Sequence, residues 1–452
     1  MQSGVRDLTR GKPSSVILGF ALPVFISQVF QQLYNTADAF IVGKKLGTEA
    51  LAAVSSSGTL IFLMISFFEG LSMGAGIAIS RYFGAGDEKS VSKAIHTDIA
   101  VGLVCGGILT VVGMVFTPTF LTWMNTDPDV MPLAVEYFRY YFAGVISLVM
   151  YNMMRGIMNA LGDSRRPLIY LIISSITNIV LDALFVFVLE LGVRSAAVAT
   201  VISQSVSAIL CLIHLMKKGN VYTIELKKLR FHADMFREMI RFGMPSGIQN
   251  SVIGFANVIV QTQINSFGKY ASAAYGTHAK IEGFGFLPIT SFAMAIATFI
   301  SQNLGARQYE RAKKGARFGI ITGVLLAETI GTAVFILAPK LIAIFDDTPE
   351  VVRLGTMQAR TVALFYFLLA YSHLIAAVCR GAGKAIVPMT VMLSVWCLLR
   401  IVYIIIIMNT VGEIRYIYLA YPITWAITSV IYFIYYHFSD WVHGFEKAKK
   451  AG

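Results

Sequence analysis

Apolar runs about as long as a membrane is thick recur along this chain. Residues 168–189 and 386–408 reach the roughly 20 residues with which a helix crosses about 30 Å of hydrocarbon. Of the 452 residues, 56% are hydrophobic and 14% charged, whereas an ordinary soluble domain has about 25% charged residues. The runs exclude a water-soluble fold and predict a chain that crosses a membrane many times.

Charged or turn-rich breaks divide the apolar sequence into twelve predicted spans. We therefore expect an all-α integral membrane protein, located in the cell membrane. The spans are predicted to begin near residues 15, 51, 95, 133, 168, 195, 242, 272, 318, 360, 386 and 416.

The lysines and arginines are unevenly distributed between alternate loops. With the amino terminus inside, 26 of the 37 lie on the cytoplasmic side and 8 on the other, and Arg139, Lys280 and Arg400 fall within spans. The positive-inside rule then places both termini in the cytoplasm. This arrangement explains the net charge of +12 without a nucleic-acid partner.

The chain repeats itself at an offset of 221 residues. Matching pairs at this offset include Ser80 with Ser301, Gly162 with Gly383, and Arg194 with Arg415. Each half holds six spans, an even number, so both halves enter the membrane from the same side. We expect two six-helix lobes related by a pseudo-two-fold axis along the membrane normal.

The longest polar stretch lies near the middle of the chain and is typical of a linker between two lobes. The predicted organisation is a cytoplasmic tail at 1–14, a first lobe at 15–216 with spans 1–6, a cytoplasmic linker at 217–241, a second lobe at 242–438 with spans 7–12, and a cytoplasmic tail at 439–452.

Asp38 is a candidate functional residue because an acid inside a membrane costs several kcal/mol unless it is paired, hydrated or protonated. It lies in the outer half of span 1, and Gln31 and Tyr34 share its helical face at spacings of i, i+3 and i+7. The alternative is an interfacial acid that reaches water by itself.

Asp182 is a second candidate, with Asn178 one turn away in span 5 and Thr200 in span 6. The directions of the spans place Asp182 and Thr200 at a depth similar to that of Asp38. Two carboxylates, an amide and a hydroxyl form an oxygen-rich cluster suited to protons or Na⁺, in which case these four residues would be the Na⁺ ligands. The alternative is that Asn178 and Asp182 only join neighbouring helices.

The repeat does not reproduce this cluster. The positions 221 residues after its four members are Ile259, Leu399, Tyr403 and Tyr421, so a cation site would belong to the first lobe alone.

Other polar residues in the spans favour structural roles. We expect Glu282 or Glu328 to form an ion pair with Arg400, the alternative being contact with substrate. We expect His373 to be a hydrogen-bonded core residue, the alternative being a proton relay. The four cysteines have no spacing typical of a disulfide or a zinc site. Pro23 and Pro245 lie at equivalent places in the first span of each half, where each permits a bend; Pro23 is a candidate gate, and the alternative is a static kink.

Taken together, the chain resembles the multidrug and toxic compound extrusion (MATE) family of cation-coupled efflux transporters of bacterial type. The resemblance rests on the two six-span lobes, Pro23 with Asp38, the repeated turns at 84–86 and 305–307, and the Asn178, Asp182 and Thr200 set. It implies that Asp38, Asn178, Asp182 and Thr200 bind the coupling cation. It also implies drug contacts at Gln31, Tyr34, Tyr137 and Asn152.

The resemblance implies an antiporter rather than an enzyme, with no catalytic residues and no cofactor, coupled to H⁺ or Na⁺. It would act as a monomer among membrane lipids and export small amphipathic or cationic compounds by alternating access. One branch of the family has acids in spans 7 and 10, and here residues 247–266 and 360–378 contain none. This absence weakens the case for a cation site in the second lobe and favours one in the first lobe.

Two other functions remain open from the residues alone. A lipid-linked glycan flippase has a similar fold, although only three basic residues fall within spans here. An integral-membrane enzyme is disfavoured because no His/Asp or Cys/His metal spacing is present.

Overall fold

The computed structural model describes residues 7–124, 126–217 and 222–446, and helices account for nearly all of them. Within these ranges there is no strand, which confirms the all-α prediction. The helices are α1 Pro13–Gly84, α2 Glu88–Trp123, α3 Met131–Ala143, α4 Val145–Ala160, α5 Arg165–Ala183, α6 Arg194–Met216, α7 Ala233–Asn265, α8 Lys269–Gly305, α9 Tyr309–Ala343, α10 Pro349–Val362, α11 Tyr366–Gly381, α12 Ile386–Met392, α13 Arg400–Thr410 and α14 Ile414–Phe438.

Short π-helical and 3₁₀ turns extend or connect several of these helices. A π-helical turn at Leu184–Val188 extends α5, and another at Leu393–Leu399 joins α12 to α13. A 3₁₀ turn at Ala363–Phe365 joins α10 to α11, and a further one, Leu226–Lys228, lies in the linker.

Within the described ranges, nine helical stretches are long and apolar enough to cross a membrane. A tenth is formed if α3 and α4, which meet at an angle of 49°, are counted as one span. The remaining two predicted spans correspond to the second part of α1 and to α7, a helix with several glutamine and asparagine side chains.

The ends of the first and seventh predicted spans differ from the structure. The sequence predicts a break between spans 1 and 2, but the helical backbone of α1 continues through it, because lysine, alanine, leucine and glutamate there are compatible with a helix. The membrane-length stretch at the start of α1 nevertheless ends at Leu46, close to the predicted break. Similarly, α7 begins nine residues before the predicted span, since the charged residues of 233–241 are also good helix formers.

The chain forms two compact units that divide within α1 and α7. The first unit contains Asp7 and Ile26–Met244, and the second contains Leu8–Phe25 and the chain from Pro245 onward. Both divisions therefore lie within three residues of the equivalent prolines Pro23 and Pro245. Because proline has no N–H to donate, these are the points where each helix lacks a backbone hydrogen bond.

Each unit has its own apolar core. In the first unit, one buried cluster surrounds Tyr151 and Ile157 and another surrounds Phe138. In the second unit, a buried cluster surrounds Ile342 and Tyr418.

The repeat is visible in the backbone of two pairs of turns. Gly86 and Arg307 lie 221 residues apart, have φ of 70° and 57°, and each donates its N–H to the carbonyl three residues earlier at 3.1 Å. Gly162 and Gly383 have the same relationship, with φ of 88° and 74° and an N–H···O distance of 2.9 Å in both. The two halves of the sequence therefore fold into locally equivalent helix–turn–helix units.

Candidate functional site

The carboxyl groups of Asp38 and Asp182 meet inside the first unit. Asp38 lies on α1 with one carboxyl oxygen buried, and Asp182 is fully buried on the last turn of α5, just before the π-helical turn. The two side chains are close enough for a carboxyl–carboxyl hydrogen bond. Such a contact is stable only when one acid carries a proton or a cation neutralises the pair.

The other two predicted cation ligands lie on α5 and α6, which pack against each other. Asn178 is one turn before Asp182 on α5, and Thr200 is on α6; both are buried. The hydroxyl of Ser174 on α5 donates to the backbone carbonyl of Ser203 on α6 at 2.6 Å, which holds the two helices together at this level.

These side chains leave many polar atoms without a protein partner. Among the described residues, no hydrogen bond is made by either amide atom of Asn178, by the hydroxyl of Thr200, by one carboxyl oxygen of Asp38, or by either carboxyl oxygen of Asp182. A buried polar group without a partner is destabilising, by about 1–3 kcal/mol in typical cases. The four side chains offer carboxyl, amide and hydroxyl oxygen atoms, which are the atoms that bind a proton or Na⁺.

Tyr34 and Tyr137, here called the tyrosine wall, lie near the two acids. Tyr34 on α1 and Tyr137 on α3 are buried and lie within electrostatic range of both Asp38 and Asp182. Tyr137 stacks on Tyr141 one turn away, with ring centroids 6.2 Å apart and ring planes inclined by 22°. Aromatic faces beside carboxylates form an environment suited to a lipophilic cation.

Two residues of this site were missed in the sequence. Gln204 on α6 donates from Nε2 to the Tyr34 hydroxyl at 3.5 Å, while its Oε1 is buried without a partner in the described chain. Tyr141 lies within electrostatic range of Asp38. Helical spacing could have found both, because Gln204 follows Thr200, and Tyr141 follows Tyr137, by four residues.

The three remaining predicted site residues lie on α1 and α4. Gln31 is half-buried on the Tyr34 face of α1. Asn152 on α4 bonds within its own helix, donating to Leu148 O at 3.0 Å and accepting from Arg155 at 2.9 Å. Pro23 is buried about 22 Å of helix away from Asp38, in the part of α1 that belongs to the second unit. The structure does not bring Asn152 or Pro23 into the cluster.

Arg400 in the second unit has different partners from those predicted. Its Nη2 and Nε donate to the Thr424 hydroxyl at 2.8 and 3.2 Å, and its guanidinium lies 4.4 Å from the ring of Tyr421 and 5.3 Å from that of Trp396. Within the described chain, neither predicted glutamate is within 4 Å of it, so the expected ion pair is wrong. Glu282 acts on Arg400 only at longer range, and one hydroxyl and two aromatic faces take the place of a carboxylate.

Glu328 and His373 each contact neighbouring groups of the protein. Glu328 accepts the backbone N–H of Phe367 at 3.2 Å. His373 packs edge-on against Phe286 and Trp396, with ring centroids 4.7 and 5.3 Å away. All four cysteines are free thiols, and the described residues contain no group of three or more His, Cys, Asp or Glu side chains that could hold a metal ion.

The MatE family model matches the chain twice, over residues 23–184 and 245–406. The chain belongs to the MATE family. The two matches are equally long and begin at Pro23 and Pro245, so they agree with the internal repeat.

Relatives of this MATE protein are similar along most of its length. A probable multidrug resistance protein of Bacillus subtilis, YoeA, is 26% identical over 428 residues, which cover 93% of this chain and 92% of the relative. A probable multidrug resistance protein of Thermotoga maritima, NorM, is 26% identical, with 84% of this chain and 82% of the relative covered.

A solved outward-facing structure of a MATE transporter of the MOP superfamily has the same fold. Its TM-score is 0.90 at 23% identity, with both chains fully covered. The family and the fold establish a multi-pass membrane transporter with two lobes, and not an enzyme.

Proposed function

We propose that this MATE protein is a cation-coupled antiporter that exports lipophilic, often cationic compounds. The observation that carries the proposal is the contact between Asp38 and Asp182 among buried, unpartnered oxygen atoms. An antiporter needs a site whose affinity for the coupling ion differs between its two conformations. A pair of touching carboxylates is such a site, because it is unstable without a proton or cation.

The coupling ion is H⁺ or Na⁺, and the same four residues serve either. A proton would be shared by Asp38 and Asp182, with the Asn178 amide and Thr200 hydroxyl stabilising the remaining charge. A sodium ion would be held by oxygen atoms of the two carboxylates, the Asn178 carbonyl and the Thr200 hydroxyl. In both cases ion release leaves two negative charges in contact, which favours rearrangement of α1 against α5 and attraction of a cationic drug.

The drug is proposed to bind beside the acids, on the tyrosine wall. Tyr34 and Tyr137 offer aromatic faces to a lipophilic cation, and Gln31 and Gln204 offer amide groups for its polar atoms. Asn152 on α4 stays a proposed drug contact, although in this structure its amide bonds to Leu148 and Arg155 of its own helix and would have to exchange those partners for the drug. The names of YoeA and NorM as probable multidrug resistance proteins support small-molecule substrates.

Alternating access is proposed to use the bend that Pro23 allows in α1. The division between the two units falls two residues after Pro23, so a change of bend there would move Asp38 relative to the start of its own helix. The basic loops support a cytoplasmic location of both termini, and the predicted lobes, linker and tails are kept as proposed domains.

A lipid-linked glycan flippase has less support. Such a substrate needs basic groups for a pyrophosphate, and the guanidinium of Arg400 is 97% buried and already occupied by Thr424 and two aromatic rings.

Transport by purified protein in vesicles tests the proposal and distinguishes the two ions. Movement of a lipophilic cationic dye is measured with a pH gradient alone, a Na⁺ gradient alone, and neither. We expect one gradient to drive dye transport in the wild type and neither to do so in Asp182→Asn. Asp129→Asn, an exposed acid of the same unit, is the matched control and should behave as the wild type. Gradient-independent transport in the wild type, or full coupling in Asp182→Asn, would contradict the proposal.

A further inference from the structure

A cavity of about 430 Å³ lies in the second unit, between the end of α10 and the start of α14. Its lining residues are Met357, Arg360, Thr361, Phe365, Arg415 and Leu419. None of these belongs to the site around Asp38. The cavity combines two positive charges with three apolar side chains.

Both arginines of the cavity lack a carboxylate partner. Within the described ranges, no Asp or Glu oxygen lies within 4 Å of Arg360 or Arg415, whereas Arg353, two turns earlier on α10, binds Glu350 through two hydrogen bonds of 2.6 and 3.0 Å. Nε of Arg360 donates to the backbone carbonyl of Phe335 at 3.3 Å, and its guanidinium lies over the Phe335 ring at 5.6 Å. This anchoring orients the guanidinium and leaves its two terminal nitrogens for another acceptor.

The surroundings of the cavity are those of a surface in contact with lipid. Neighbouring apolar side chains are exposed: Leu364 and Phe365 in the 3₁₀ turn after α10 at 39%, and Ile423, one turn after Leu419 on α14, at 39%. In a membrane protein such side chains contact acyl chains. Arg415 stands on the first turn of α14, at the end of a span, where arginine side chains reach the polar headgroup region.

We propose that this cavity binds the phosphate of an anionic phospholipid, with Arg360 and Arg415 on the headgroup and with Phe365, Met357 and Leu419 against the upper acyl chain. Two guanidinium groups without a carboxylate partner in the described chain provide the donors that a phosphate prefers. The apolar wall continues into the exposed lipid-facing surface, which a small soluble anion would not use. With the orientation that the basic loops predict, the site lies at the outer end of the second lobe.

Lipid-dependent thermal stability of the purified full-length protein in detergent tests this site without any transport measurement. Phosphatidylglycerol, phosphatidylcholine and glycerol 3-phosphate are added separately over a concentration series. For the wild type we expect phosphatidylglycerol to raise the Tm in a saturable way, and more than phosphatidylcholine does. The Arg360→Gln/Arg415→Gln double variant should lose the extra increase given by phosphatidylglycerol. Arg353→Gln, which removes a paired arginine from the same helix, should keep it.

Three results would overturn the proposal. They are an unchanged phosphatidylglycerol increase in the double variant, an equal increase from phosphatidylcholine in the wild type, and an equal increase from glycerol 3-phosphate, which would assign the site to free anions. If the double variant does not fold, Arg415→Gln alone is measured beside Arg415→Lys. The lysine variant should keep more of the increase than the glutamine variant, and equal losses would also overturn the proposal.

Discussion

Asp38 and Asp182 are joined by a carboxyl–carboxyl contact although they stand on different helices, α1 and α5, far apart in the sequence. If both carried a negative charge the two groups would repel each other, so the pair responds to a cation as one unit.

We expect Asp38→Asn and Asp182→Asn each to reduce ion-coupled dye transport by about 5- to 150-fold, the range of typical coupling free energies. The double variant should be no worse than the more defective single variant, because both changes remove the same unit. Initial rates of gradient-driven transport in vesicles measure this, with Asp129→Asn as the control. Losses that multiply in the double variant would show two independent sites.

Asn178→Leu should stabilise the protein and impair transport. The side chains are similar in shape, and both amide atoms of Asn178 are buried without a partner in the described chain, so the change removes a penalty of about 1–3 kcal/mol. Thermal unfolding in detergent and dye transport are measured together. Thr177→Val is the control, since that exposed hydroxyl bonds only to its own helix. A lower Tm, or normal transport, would contradict a ligand role for Asn178.

Arg400→Lys should destabilise the second unit by about 1–3 kcal/mol. Lysine keeps the charge but cannot make both hydrogen bonds to Thr424 while lying flat on Tyr421 and Trp396. The exposed Arg353→Lys should cost less than about 1 kcal/mol. Thermal unfolding compares the two, and equal effects would mean that the stacked geometry contributes little.

The repeated turn offers a matched pair of backbone substitutions. Gly86→Ala should cost about 1 kcal/mol, because φ of 70° is strained for alanine. Arg307→Gly should be neutral or stabilising by a similar amount, because arginine there already has φ of 57°. Opposite signs of the change in Tm are expected, and a loss of stability in Arg307→Gly would show that its side chain matters more than its backbone.

Asp87 makes stability depend on acid pH. It caps α2 by accepting the Ser90 N–H at 3.1 Å, and hydrogen bonding from the Ser90 side chain, followed by this backbone bond, lowers the pKa of Asp87 below its ordinary value. A lowered pKa in the folded state gives stability that is present above the unfolded value of about 3.9 and lost as pH falls through the folded value.

Asp87→Ala tests this cap. It should cost about 0.5–2 kcal/mol at neutral pH, of which the charge-dependent part is small because the group is exposed. Thermal unfolding between pH 3 and 7 is expected to show the variant and wild type converging at the acid end. A difference that stays constant with pH would contradict a charged cap.

Much of the candidate site was predictable because it depends on local patterns. Asn178 and Asp182 share a face of one helix, and their depth follows from the direction of the span. Gln204 follows Thr200 by one turn and shares its helical face, so the spacing could have predicted it, although not its hydrogen bond to Tyr34 on α1. The partner of Arg400 could not be predicted, because an apolar sequence context favours a carboxylate partner and does not reveal that Thr424 and two aromatic rings pack around the guanidinium.

The sequence alone determined the all-helical membrane fold, the internal repeat and the residue types available for binding a cation. These follow from hydropathy and helical periodicity, which are properties of neighbouring residues. Only the tertiary structure decided that Asp38 touches Asp182, that Tyr34 bonds Gln204, and that the unit boundaries fall beside Pro23 and Pro245. These relationships depend on which faces of distant helices pack together, and that is set by side-chain fit over the whole unit.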